Sequence, residues 1–216
     1  MRSILLLACF SISGFAVFGQ ERPVQLDEFG PVTNDALMAR VEYFANEILE
    51  KNSDGFAILR GPPLMKYLMR RKIEGCLRWR GRPIDQLKFV YGEDREDLRV
   101  YFWKVPKGSE LAPYSDQTFD YRLPQLKAPV ELSSSSATDE YCPIYFDIDW
   151  YSKFLVANPS LRGKVVIDTS KSDFLKRVVK YRKRLASLGV QSSRVSFLRH
   201  KFEHERDEQW WLIPPT

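Results

Sequence analysis

The chain has 216 residues, 44% of them hydrophobic and 13% aromatic, which fills one core or two and excludes a wholly disordered protein. Its formal charge of +5 is too small an excess to name a partner, because the distribution of charge matters more than its sum.

Arg2 is the only charge in the first twenty residues, and Ile4 to Phe18 is almost wholly apolar before Gln20. That layout predicts a secretory signal peptide over 1–20, and its removal lowers the charge from +5 to +4. A membrane anchor needs about 20 apolar residues, and this run is shorter and broken by Ser11, Ser13 and Gly14. Leu6-Leu7-Ala8-Cys9 has the outline of a lipoprotein box, but leaves few apolar residues ahead of Cys9. No second stretch is apolar enough to span a bilayer, so the expected location is the periplasm or the cell exterior. There Cys76 and Cys142 can pair, or remain two buried thiols.

Val24-Gln25-Leu26 reads as an opening strand, and Asn34 as the N-cap of a helix whose face is Leu37, Val41, Phe44, Ala45, Ile48 and Leu49. The apolar run Gly55 to Leu59 predicts a strand buried on both sides. A second helix follows over about Leu64 to Trp79, stopped at Gly81, then strands over Leu87–Tyr91 and Leu98–Val105, most simply a hairpin. Pro124 to Glu140, with Pro124, Pro129 and the run Ser133 to Ser136, is too polar to offset its ordering entropy and reads as a linker. Beyond it the order recurs: a strand at Ile144–Ile148, a helix at Trp150–Ala157, a strand at Gly163–Ile167, a helix at Asp173–Leu188 ending at Gly189, and strands at Arg194–Leu198 and Gln209–Ile213.

The recurrence is a repeat at an offset of 108. Without a gap, Tyr43 falls on Tyr151, Gly55 on Gly163, Leu77 on Leu185, Gly81 on Gly189, Phe89 on Phe197, Trp103 on Trp211 and Pro106 on Pro214. The fold class is therefore α+β: two tandem β-α-β-α-β-β modules, 21–109 and 142–216, each a mixed four-stranded sheet with two helices on one face, joined by a linker over 110–141.

The second copy resembles the OmpA-like domain of bacterial envelope proteins. The likeness lies in Ile144-Tyr145-Phe146-Asp147-Ile148-Asp149, in Asn158-Pro159-Ser160-Leu161-Arg162 before Val165-Val166-Ile167, and in Leu175-Lys176-Arg177 through Tyr181, Leu185, Gly189-Val190 and Arg194-Val195. It implies a non-enzymatic envelope scaffold with peptidoglycan or an envelope protein as partner, and no cofactor. The family holds peptidoglycan with an aspartate after the second strand and an arginine on the second helix. Arg177 matches that arginine, suited to a forked contact with a stem-peptide carboxylate. Thr169-Ser170 stands where the aspartate belongs, leaving Asp173 as its substitute; in the first copy Met69 aligns with Arg177.

Three other patterns carry chemistry. Both second helices are basic, with Lys66, Arg70, Arg71, Lys72, Arg78 and Arg80 in one and Lys176, Arg177, Lys180, Arg182, Lys183 and Arg184 in the other, while acidic loops precede both last strands. These surfaces suit an acidic polymer or mutual pairing, and export argues against nucleic acid. His200-Lys201-Phe202-Glu203-His204 spells a zinc-protease pattern, which requires a helix where the repeat predicts a hairpin turn. An exported hydrolase using carboxylates or a metal at these histidines is the alternative function. Finally, Trp210 or Trp211 must point away from the helices, either free to stack on a sugar or protein or hidden where the two sheets pack together.

Overall fold

The computed structural model describes residues 22–50, 53–111, 119–123, 126–136, 142, 144, 147–200 and 206–215. The apolar N-terminal run with Cys9 lies outside them, as do Lys201 to Glu205. In chain order the elements are β1 Val24–Phe29, α1 Asn34–Glu50, β2 Ser53–Arg60, α2 Pro63–Trp79, β3 Leu87–Tyr91, β4 Arg99–Pro106, β5 Val130–Ser136, α3 Ile148–Ala157, β6 Arg162–Asp168, α4 Lys171–Ser187, β7 Val195–His200 and β8 Arg206–Ile213. They form two mixed four-stranded sheets of one topology, β1-β4-β2-β3 and β5-β8-β6-β7. The fold is α+β, two tandem modules of a sheet and two helices.

Neither module has the expected hairpin. β2 pairs with β3 in parallel and with β4 antiparallel, so β4 lies between β1 and β2. Burial explains the choice. β4 buries Val100 and Phe102 on the helix side and Val105 on the other, and a strand apolar on both faces belongs inside a sheet.

The strand that opens the second sheet is also displaced. Of the expected strand Ile144–Ile148, Tyr145 and Phe146 lie outside the described residues; Ile148 begins α3, and the carboxylate of Asp147 caps that helix by accepting from the Asp149 amide at 2.9 Å. The edge beside β8 is taken by Val130–Ser136, inside the stretch whose composition reads as a linker. Serines are weak strand formers, but the main chain there pairs with β8, and Leu132 anchors it in the core. The same irregularity marks both edges: pairing shifts after Gln25 opposite Trp103 and after Glu131 opposite Trp211.

The remaining repeat holds closely. α2 and α4 differ in numbering by 108 at both ends. Both end alike: Arg82 N donates to Leu77 O at 2.8 Å and Val190 N to Leu185 O at 3.0 Å, around Gly81 and Gly189 at φ 62° and 85°. The first helix is the exception. Thr33, not Asn34, is its cap, its carbonyl accepting from Leu37 N at 2.9 Å. Phe44, not Tyr43, is the counterpart of Tyr151. Phe44 stacks on Phe102 over Gly55, and Tyr151 meets Trp210 over Gly163. Tyr43 is 52% exposed. The connection from this aromatic to the glycine is one residue longer in the second copy, a slip that a gapless comparison hides.

The modules join through helices, not sheets. Tyr67 of α2 belongs to the second module's core with Phe154 and Leu155, and Leu64 and Leu68 pack on the same cluster. Residues 119–123 run between the modules: Phe119 lies 4.8 Å from Tyr91 and 6.0 Å from Phe154, and Asn158 bonds the main chain of Tyr121 and Leu123 at 2.8 Å. Cys76 of α2 is bonded to Cys142, with Cα atoms 4.2 Å apart. Trp103 packs on the sheet face away from the helices, against a cluster of its own module's residues Ile58, Val90, Val105 and Leu111, while Trp210 is wholly buried in the second module's core.

Candidate functional site

The three residues singled out by the resemblance lie at the start of α4. Thr169 follows β6, and Ser170 is the N-cap, its Oγ accepting from Asp173 N at 3.2 Å while Asp173 Oδ2 accepts from Ser170 Oγ at 3.0 Å. Asp173 is thus half of a capping pair, and its hydrogen bond from Ser170, reinforced by Lys176, holds its carboxyl below the usual range. Arg177, one turn further, reaches across to β8 and donates from Nη1 to Glu208 Oε1 at 2.9 Å.

Glu208 is the organiser of this corner. It is 12% exposed at the side chain, and it also accepts from the Tyr181 hydroxyl at 2.6 Å and from Trp210 Nε1 at 3.1 Å. Burial, then the Glu208 carboxylate, pushes the Tyr181 hydroxyl well above its ordinary value, so it stays a donor. In sequence Glu208 is one acid of a charged loop, and two of its partners, Arg177 and Tyr181, lie on a helix 31 and 27 residues away. Only the tertiary fold identifies it.

A second constellation sits between the modules. A cavity of about 330 Å³ is lined by Arg71 and Arg78 of α2, Asp147 and Ile148 at the start of α3, and Lys180, Tyr181 and Arg184 of α4. Arg71 is buried and donates to Glu74 Oε2 at 2.9 Å; Arg70 donates to the same carboxylate at 2.7 Å. Arg70 also lies between the Phe89 and Trp150 rings, 4.8 and 4.9 Å from their centroids, and bonds the Tyr91 hydroxyl at 2.6 Å. Arg184 grips Asp149 with a forked pair of bonds at 2.7 and 2.6 Å. Lys180 makes no ion pair among the described residues.

The other basic positions are mostly engaged within their own module. Lys66 reaches the loop before β4, to Asp94 at 2.6 Å and the Gly92 carbonyl at 3.0 Å, and Lys72 meets Asn34 at 3.1 Å. Of the histidine pattern, His200 is at the end of strand β7 with Nδ1 2.9 Å from Asp168, and His204 lies outside the described residues. A strand does not place this imidazole as the helical pattern requires. Neither a scan against protein-family models nor a search of curated proteins finds a match to this chain.

Proposed function

We propose that the chain is an exported, non-enzymatic envelope protein whose two OmpA-like modules form one scaffold that binds another envelope protein or, more weakly, the cell wall. The observation that carries this reading is the joining of two like modules into one body. A helix of the first contributes to the core of the second, and a disulfide ties that helix to the entry of α3. Such a bond persists in an oxidising compartment, in keeping with the apolar leader. The resemblance of Leu175 to Val195 to the OmpA-like second helix and the turn after it supports the wall as one partner. In the free protein Arg177 is held by Glu208, so a wall peptide would have to compete with that carboxylate, and weak retention is the expected behaviour.

Sedimentation with purified peptidoglycan tests it, using the exported, oxidised chain and its Arg177→Ala variant. A wild-type fraction retained above that of an unrelated periplasmic protein, and reduced several-fold in the variant, is expected. Equal retention of both would take Arg177 out of wall binding, and recovery of the chain solely in the cytoplasm with its leader intact would overturn the envelope reading.

A further inference from the structure

We infer that the outer face of α4 is a docking site for an acidic helical segment of another protein, seated there as α3 is seated on α2. The inference deepens the reading of the chain as a scaffold for another protein, and rests on it. α2 and α4 correspond residue by residue at the offset of 108. On α2 the stripe Leu64, Tyr67, Leu68 and Arg71 is covered by protein. Tyr67 meets Phe154 and Trp150 of α3, the Arg71 guanidinium lies over the Trp150 ring, and Leu64 and Leu68 pack on the same cluster. On α4 the counterparts of Tyr67 and Arg71 are Leu175 and Val179, one turn apart on one face, and they are 56% and 68% exposed. Ala186, two turns further, is exposed on the same face.

Charge sets the chemistry of the occupant. Seven basic residues and one acidic give α4 a formal charge of +6, more than the +5 of the whole chain. Arg177 and Arg184 are engaged by Glu208 and Asp149, and Lys176 by Asp173. Lys171, Lys180, Arg182 and Lys183 are exposed and make no ion pair among the described residues. By helical spacing Lys171 and Arg182 border the stripe on one side and Lys183 on the other. An apolar stripe edged by cations fits a helix that carries carboxylates around an apolar anchor. α3, which covers the matching stripe on α2, has that character, with Asp147 and Asp149 at its start and Trp150 beside them. A second copy of the chain fits poorly. In the first module the counterpart of α3 is α1, where Tyr43 stands for Trp150 and Glu47 for Phe154. Arg80 and Arg82 reach that helix at Glu42 and Asn46, and would meet the cations of α4.

The test uses the exported, oxidised chain and a synthetic helical peptide of glutamate, alanine and leucine with a central tryptophan. A copy with lysine for every glutamate is the comparison. Saturable binding of the acidic peptide by calorimetry, with amide shifts centred on Leu175, Val179 and Lys183, is expected, and no binding of the basic copy. Val179→Glu should weaken it about tenfold or more, and Leu175→Glu with Val179→Glu should abolish it. Val156→Glu, the same change at an exposed apolar position of α3, should leave it intact. Absence of saturable binding, or equal losses from Val156→Glu and Val179→Glu, would overturn the site. So would a stripe that instead binds vesicles containing phosphatidylglycerol, or self-association in sedimentation velocity that Val179→Glu removes. These variants should keep wild-type retention on peptidoglycan. Failure of the exported chain to bind the peptide thus overturns this site alone, whereas the envelope reading falls only with the chain's location.

Discussion

At the scale of single residues, two glycines and two aromatics set how close the first helix of each module lies to its sheet. A Cβ at Gly55 would come within 2.9 Å of both Phe44 and Ile48, and one at Gly163 would overlap the Tyr151 hydroxyl oxygen. That hydroxyl is not free to move aside, since it donates to the Trp211 carbonyl at 3.0 Å and its ring is wedged against Trp210. Gly163→Ala should therefore cost about 2–3 kcal/mol through overpacking, measured by denaturant unfolding. A companion Tyr151→Phe change, which removes the colliding oxygen, should restore part of the loss; an alanine variant as stable as wild type would show that α3 can lift away freely. The paired glycines are visible in sequence. Which aromatic lies over each is not, because a one-residue difference in loop length redirects a whole helix face.

At the scale of elements, α4 illustrates how local chemistry defines an end. Ser170 and Asp173 exchange hydrogen bonds there, and Gly189 closes the other end at positive φ. Ser170→Ala should destabilise the second module by about 1 kcal/mol at neutral pH. The sign of the pH effect follows from Asp173, whose carboxyl is held low by Ser170. Its contribution is present above its ordinary value of 3.8 and is lost as pH falls through the depressed folded value. The difference between wild type and variant should thus shrink on acidification, as followed by circular dichroism, and a difference constant down to pH 2 would contradict the pairing. The helices, their glycine ends and the central strands β2 and β6 were legible because each depends on residues near in sequence. Strand β5 was not: its serines carry no strand signal, and only the unpaired edge of β8 calls that segment into a sheet.

At the scale of the whole molecule, the joining of the modules governs stability. Tyr67 touches Phe154 and Trp150 at 4.8 and 5.4 Å between ring centroids, and Phe119 belongs to the borders of both cores. Cys76 and Cys142, 66 residues apart, close a loop around this contact. Replacing Cys142 with serine should cost about 2–4 kcal/mol by restoring chain entropy to the unfolded state, and calorimetry should show the midpoint falling. Because Cys142 packs in the first core and Tyr67 in the second, the two modules should still unfold in one transition when oxidised. Two well-separated transitions in the oxidised chain would show that the shared helix couples them too weakly to matter.

The sequence by itself determined that one α+β module is present twice, where its second helices end, which strands are apolar enough to be central, and that two cysteines were available to pair. All of these follow from periodicity and from glycine's access to left-handed backbone, which are properties of short segments. The tertiary structure alone decided that β4 enters the middle of its sheet, that the second sheet opens at Val130, that Arg177 is bound to Glu208, and that Arg71, Arg78, Lys180 and Arg184 meet in one cleft. Those outcomes depend on groups distant along the chain competing for the same neighbour, and burial in space, not spacing in sequence, settles that competition.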